Sequence, residues 1–264
     1  MRLNEDSYRK KVRAGWLGKC IGGNLGAIPE CLKKRSYFLK PEDFMPEKML
    51  ANDDLDLQLV WLQVLLDKGL SFTSDDLMEE FIKCYPANPN EYGYGKRNYR
   101  RGIKPPVSGT FANEFFMNSM GCPIRAEIWA MICPGRPEKG IELAYRDGCL
   151  DHGEESIYAE QYITALESLS FLSQDRLELI KKASEYIPET SRIYHVISDV
   201  SGAFEKGAEL EKVMDYLETE YGDVDCSISF YNIGVIALAL LYGNGEFEKT
   251  ITLAVNCGYD TDCT

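Results

Sequence analysis

Two clusters of oxygen-bearing side chains stand near opposite ends of the sequence. The first is Asn52-Asp53-Asp54, and the second is Asp260 with Asp262. Carboxylate and amide oxygens are the ligands that hard cations such as Mg²⁺ and Ca²⁺ prefer. Each cluster alone has a simpler explanation, because acids of this kind also cap helices or occupy surface turns. Taken together, they predict that the two clusters meet and bind one or two hard divalent cations.

The segment that follows the first cluster predicts a helix over residues 53–68. Its apolar residues recur at helical spacing, as at Leu57 and Trp61, and further leucines fill most of the other faces. A helix that is apolar nearly all round belongs in the middle of a bundle. We therefore expect a buried rod whose N-terminus presents Asp53 and Asp54.

The remaining sequence is typical of helices joined by turns. The first helix is expected over residues 5–22, where Gly22-Gly23-Asn24 should end it. A long loop is expected over residues 87–109, and it carries five basic residues: Lys96, Arg97, Arg100, Arg101 and Lys104. Further helices are expected over residues 110–118, 123–132, 137–148, 155–172, 175–187, 190–206, 209–220, 229–242 and 246–256. The pattern predicts an all-α fold that forms a single domain over residues 1–264.

Charge and hydropathy argue against nucleic-acid-binding and membrane proteins. The net charge of -13 argues against a nucleic-acid groove and against binding to an anionic membrane. The longest uncharged apolar run, residues 233–242, is about half of the ~20 residues that a membrane-spanning helix needs. The charged N-terminus has no apolar signal core.

Cysteine and histidine usage points to the compartment. The nine cysteines are scattered without a Cys-x-x-Cys pair, and the chain has only two histidines. This pattern argues against a structural zinc site and favours a reduced, cytoplasmic compartment.

Several short motifs, taken in order, resemble the ADP-ribosylglycohydrolase family across essentially the whole chain. They are the glycine-rich segment from Gly18 to Gly26 with Pro29-Glu30, Asn52-Asp53-Asp54, the stretch from Asn98 to Gly109, Gly121 to Arg125, Pro134-Gly135-x-Pro137-Glu138, Tyr145-Arg146-Asp147 leading to Asp151-His152, Leu241-Tyr242-Gly243, and Gly258-Tyr259-Asp260-Thr261-Asp262. The resemblance implies a compact all-α multi-helix bundle, in agreement with the helical pattern. Because the family continues with a further helix after the last motif, we also expect more chain beyond Thr264.

The resemblance implies a site for two Mg²⁺ ions. The family's acidic motifs match Asp53, Asp54, Asp260 and Asp262, and Asn52 stands where the family has a threonine. Cys263 stands where the family has a second hydroxyl, and a thiol is a poor ligand for Mg²⁺, which argues against full occupancy by the second ion. The neighbouring Thr264 can supply a hydroxyl instead.

The resemblance also suggests roles in catalysis and substrate binding. Glu30 corresponds to a catalytic or gating glutamate of some members, and Asp54 and Asp260 are candidates to move a proton; an exposed loop acid explains Glu30 equally well. Gly121, His152 and Arg101 are candidates for substrate binding. Each has a simpler alternative, since a lone histidine is more often structural and a basic loop is often merely solvated.

The resulting hypothesis is a Mg²⁺-dependent hydrolase that cleaves a ribosyl glycosidic bond and releases ADP-ribose from a modified protein or a small molecule. Metal ions can orient the ribose, and the carboxylates can move the proton in a reaction that passes through an oxocarbenium-like state. Asn52 and Cys263 leave open a non-catalytic protein that binds ADP-ribose or a nucleotide. A crystallin-like structural use of the fold, or a different glycoside or amide as substrate, also stays open. The oligomeric state does not follow from the sequence.

Overall fold

The fold of the protein is all-α. A computed structural model describes residues 3–33, 48 and 51–264, and the regular structure in these ranges is helical, without a β-strand. None of the helices in these ranges combines the length and the apolar character needed to cross a membrane. The expectation of an all-α protein is confirmed.

The chain divides into two compact units. The middle unit is Asn52–Ser168, and the terminal unit combines Met1–Ala51 with Leu169–Thr264. The helices are α1 (Glu5–Gly26), α2 (Asp53–Lys68), α3 (Ser74–Cys84), α4 (Asn90–Arg100), α5 (Val107–Thr110), α6 (Ala126–Ile132), α7 (Pro137–Gly148), α8 (Glu154–Ser170), α9 (Arg176–Ser184), α10 (Arg192–Glu205), α11 (Leu210–Tyr221), α12 (Ser229–Tyr242) and α13 (Phe247–Asn256). Single turns of 3₁₀ helix cover Gly69–Ser71 and Pro123–Arg125.

The core of the middle unit forms around one face of α2. Leu57 and Trp61 are fully buried there, and the Trp61 ring packs edge-on against Phe81 of α3. The opposite face of α2 is open, since Leu59 is 62% exposed and Leu66 is 73% exposed. The expectation of a rod that is buried all round is therefore wrong. The helix is one-sided, and leucines occupy its solvent face as well as its core face.

The segment that we expected to be a loop contains α4. Lys96 of this helix is fully buried; its ammonium donates hydrogen bonds to the carbonyl oxygens of Tyr85 and Ala87, and it lies 3.9 Å from the centre of the Phe81 ring. Burial lowers the pKa of Lys96 to about 8. The residues 107–118, by contrast, form only the short α5 and turns, so the helix expected over 110–118 is absent. The Asn98 amide holds this stretch through bonds to the carbonyl oxygens of Ser108 and Phe111.

In the terminal unit, α12 is the central helix. It packs against α10, α11 and α13, and most of its residues are buried. Gly234 makes the close approach possible, because a methyl group there would lie 2.7 Å from side-chain atoms of Leu217 and Val196. In the same unit, Leu25 of α1 packs with Val255 of α13.

One disulfide crosslinks the terminal unit. It joins Cys31 to Cys226, whose Cα atoms lie 5.2 Å apart, while the other seven cysteines, all within the described residues, keep their thiols. The sequence favoured reduced thiols because the cysteines are scattered along the chain. A separation of 195 residues between the two partners leaves no local signal, so only the folded chain shows that they meet.

Candidate metal centre

Three acidic residues of the terminal unit converge. Glu30, Asp260 and Asp262 each place a carboxylate oxygen within 4.8 Å of the others. Asp260 is 5% exposed, Asp262 is half-buried and Glu30 is exposed. Carboxylate oxygens at this spacing fit a single hard divalent cation. We refer to these three residues as the acidic triad.

The backbone around Asp260 is held from two sides. Its amide donates a 3.3 Å hydrogen bond to the Asn232 side chain of α12, and the Tyr259 ring stacks on the Tyr231 ring with centroids 3.9 Å apart. On the other side, the Thr261 hydroxyl donates to the Gly26 carbonyl oxygen at 2.6 Å. The end of α1 and the start of α12 therefore set the position of Asp260.

The short segment after Asp262 carries the two residues that bear on a second cation. The Cys263 thiol lies 3.6 Å from a carboxylate oxygen of Asp262, to which it donates. The Thr264 hydroxyl is buried and has no hydrogen-bond partner within the part of the chain that is described. A buried hydroxyl without a partner is costly, so an oxygen ligand to a cation is a good use for it. The donor set of the terminal unit therefore fits a hard cation better than a soft one.

The other predicted cluster begins the middle unit. The Asn52 side-chain oxygen accepts a hydrogen bond from the Asp54 amide at 2.7 Å, which is the N-cap of α2. Asp53 accepts a bond from the Tyr92 hydroxyl at 3.2 Å, and Asp54 is 1% exposed. The cap accounts for Asn52, but a cap does not require the two acids that follow it, Asp53 and Asp54. Metal binding by these residues stays a prediction.

His152 and Gly121, the predicted substrate-binding residues of the middle unit, are both buried. The His152 ring contacts an Asp151 oxygen at 2.7 Å through Nδ1, and the Ser119 hydroxyl at 3.2 Å through Nε2. Gly121 is required where it stands, because a methyl group there would lie 2.1 Å from a Glu91 oxygen and 2.9 Å from Nε2 of His152. Burial works against a charged imidazole, but Cys122 and Asp151 favour it, and the pKa of His152 is raised well above its ordinary value.

Arg125 is a buried residue that the sequence analysis named only as the end of a family motif, without a role. Its guanidinium lies 2.8 Å from Asp147 and 2.9 Å from Asp151, and all three side chains are fully buried. Burial alone would raise the pKa of Asp151, but Arg125 and His152 outweigh it and lower this pKa to about 2. An arginine between apolar neighbours was the available signal, since such a charge needs a buried partner.

Arg101 ends up at the exposed C-terminal end of α4. One turn earlier in the same helix, Arg97 lies over the Tyr94 ring, 4.4 Å from its centre, and the centre of the Phe116 ring lies 6.1 Å from that of Tyr94. Phe115, which contacts Phe116, is 61% exposed. An exposed ring such as that of Phe115 can stack on a planar ligand. The sequence analysis noted the arginines but not these aromatic residues.

The family model for the ADP-ribosylglycohydrolases matches residues 4–264. The chain belongs to the ADP-ribosylglycohydrolase family. A solved structure titled "ADP-ribosylglycohydrolase-related protein complex" has the same fold, with a TM-score of 0.64 and 19% sequence identity over 97% of this chain and 84% of that chain. No match was found among the curated proteins. Membership in this family supports a glycohydrolase-type enzyme, and the all-α fold is the fold of the family.

Proposed function

We propose that the protein is a Mg²⁺-dependent hydrolase that cleaves a ribosyl glycosidic bond and releases ADP-ribose from a modified protein or a small molecule. The observation that carries the proposal is the acidic triad, where three carboxylates from distant parts of the chain share one site. Like charges so close together repel one another unless a cation lies among them. The family to which the chain belongs is a family of glycohydrolases.

Asp260 and Asp262 would hold the cation, with Thr264 as a further oxygen ligand. We propose that Asp53 and Asp54, which match the family's acidic motif, and Asn52, which stands where the family has a threonine, are also metal ligands. The cation supplies a positive charge and fixed points of attachment for the ribose hydroxyls. The Cys263 thiol is a soft ligand, which limits occupancy by a second ion.

Glu30 is suited to move a proton because it is the exposed member of the triad. A carboxylate that faces solvent can take the proton of an attacking water, whereas the buried Asp260 is suited to hold the cation in position. Departure of the acceptor group leaves positive charge on the ribose, which nearby carboxylates stabilise. The exposed Phe115 ring and the guanidinium of Arg101 are candidate contacts for the rest of the ligand.

The test is release of ADP-ribose from ADP-ribosylated proteins by the wild type and by Asp260→Asn. Loss of this ligand charge is expected to lower kcat/KM at least about 100-fold, which corresponds to about 2.7 kcal/mol of transition-state stabilisation. Glu248→Gln, an exposed acid on α13, is the matched control and should retain activity. Unchanged turnover in Asp260→Asn would contradict the proposed site.

A further inference from the structure

The disulfide of the terminal unit is located beside the acidic triad. Cys31 directly follows Glu30 in the chain, and Cys226 precedes α12 by a few residues. Cys31 is exposed and Cys226 is half-buried. Small thiol reagents can therefore reach the bond, and exposed disulfides are commonly the labile ones.

The backbone on both sides of this bond is tied to the second part of the triad. The Cys31 amide donates to the Tyr259 carbonyl oxygen at 2.7 Å, and the Tyr259 amide donates to the Leu32 carbonyl oxygen at 3.3 Å. The residue after Glu30 therefore lies alongside the residue before Asp260. These two hydrogen bonds would remain if the disulfide were broken, as would those that the Lys33 ammonium donates to the carbonyl oxygens of Asp223 and Val224.

Asn232 connects the other half of the disulfide to Asp260. Its amide nitrogen donates to the Cys226 carbonyl oxygen at 2.9 Å, and its oxygen accepts from the Asp260 amide at 3.3 Å. Asn232 is fully buried. Cys226 is thus anchored to Asp260 through a side chain of α12 and to Cys31 through a covalent bond, so that both halves of the triad share one support.

We propose that the Cys31–Cys226 disulfide is a redox-controlled strap that holds Glu30 in the acidic triad and thereby sets the affinity of the site for a divalent cation. The proposal rests on the metal site of the proposed function. A dithiol reduces the bond by two successive exchanges: its two sulfur atoms leave as a cyclic disulfide, and Cys31 and Cys226 each become a thiol. Asp260 keeps its Asn232 anchor after reduction, whereas Glu30 loses the covalent support that its neighbour Cys31 provides.

Reduction is expected to weaken cation binding because Glu30 is then held less rigidly. Oxygen sites for divalent cations are tuned by the number and rigidity of their ligands. Loss of an outer support for a ligand typically lowers metal affinity by 10- to 100-fold, so we expect about a tenfold loss on reduction. The simpler alternative is a crosslink that only stabilises the fold by restricting the unfolded chain. That alternative predicts a change in unfolding temperature and none in affinity.

The experiment is calorimetric titration of the full-length protein with Mg²⁺, before and after treatment with dithiothreitol. Thiol titration in denaturant checks the two states, with seven thiols expected in the oxidised protein and nine in the reduced one. The reduced protein should bind Mg²⁺ about tenfold more weakly while circular dichroism remains that of the folded protein. The double variant Cys31→Ser/Cys226→Ser should match the reduced wild type and ignore the reductant. Cys84→Ser, which removes an exposed free cysteine, should behave as the wild type.

The Glu30→Gln variant distinguishes a disulfide that acts through Glu30 from one whose reduction loosens the metal site as a whole. Because this variant has already lost the ligand charge, its Mg²⁺ affinity should be the same in the oxidised and the reduced state. Equal affinities of the folded wild type in both states would overturn the strap and leave the proposed metal site standing. Absence of Mg²⁺ binding in both states would overturn the metal site and the strap together. A reductant effect that persists in Glu30→Gln would also overturn the strap.

Discussion

The buried charges of the middle unit can be understood residue by residue. Arg125 is tolerated without solvent because Asp147 and Asp151 flank it. A third carboxyl, Glu160, is also fully buried in this region. Burial and the neighbouring Asp147 raise the pKa of Glu160 well above its ordinary value, so that this group keeps its proton near neutral pH. Arg125 and His152, whose pKa is raised, thus offset the two buried carboxylates, and the third buried carboxyl stays neutral.

The raised pKa of Glu160 predicts a stability that depends on pH. The folded protein keeps a proton on Glu160 that the unfolded chain releases above about pH 4.3, so the free energy of unfolding falls as the pH rises toward the folded-state pKa. Glu160→Gln mimics the protonated form and removes this contribution. We expect urea unfolding to show a smaller loss of stability between pH 5 and pH 8 in the variant than in the wild type.

Asp151→Asn is the contrasting variant for the same experiment. The pKa of Asp151 is held at about 2, so this group is charged at every pH of the comparison. Removing one partner of a buried ion pair costs about 3–5 kcal/mol. Asp151→Asn should therefore be destabilised at both pH 5 and pH 8. If the free energy of unfolding of Glu160→Gln depended on pH as it does in the wild type, the proposal that Glu160 is neutral in the folded protein would be contradicted.

At the scale of helices, the contact between the end of α1 and the C-terminal segment fixes the acidic triad. A methyl group on Gly26 would lie 2.0 Å from the Thr261 carbonyl oxygen, which belongs to the backbone next to Asp260. We expected α1 to end at the glycines before residue 24, but the helix continues to Gly26. The glycines before residue 24 therefore do not end the helix, and the close approach of another segment is at Gly26.

This close approach predicts opposite effects for two alanine substitutions in α1. Gly26→Ala should destabilise the protein by about 1–3 kcal/mol, because backbone must move to make room, and should weaken Mg²⁺ binding. Gly22→Ala meets nothing within 4 Å and should be neutral or stabilise the helix by about 0.5–1 kcal/mol. Thermal unfolding and Mg²⁺ titration of both variants measure the difference. If the Gly26→Ala protein were as stable as Gly22→Ala, the close contact between Gly26 and the Thr261 backbone would be contradicted.

For the whole molecule, the proposed metal site links cation concentration to stability. A ligand that binds only the folded state at a hundred times its Kd stabilises it by about 2.7 kcal/mol. Addition of Mg²⁺ should therefore raise the Tm of the wild type and of Glu248→Gln, and a chelator should reverse the increase. Asp260→Asn should lose most of this response. The same rise in Asp260→Asn would show that the cation acts elsewhere.

A structural feature could be predicted from the sequence when it depends on residues that are close together in the chain. The helical pattern and its caps arise within a few turns, so the helices at 53–68, 137–148 and 229–242 were predicted with their observed bounds. The expected helix over 110–118 failed because the side chain of Asn98 binds the backbone of that stretch and competes with helical hydrogen bonds. The prediction that α2 is buried on all sides was wrong, because the sequence does not distinguish a leucine on a solvent face from a leucine in the core.

The sequence by itself determined the helical class of the protein, its family motifs and the residue types able to bind a hard cation. Only the folded chain decided that Glu30 lies with Asp260 and Asp262, that Cys31 meets Cys226, and that Arg125 is buried between two carboxylates. The physical reason is the range of the interactions. Helix formation is governed by neighbours three or four residues apart, whereas ion pairs, crosslinks and metal ligands depend on which distant segments pack together.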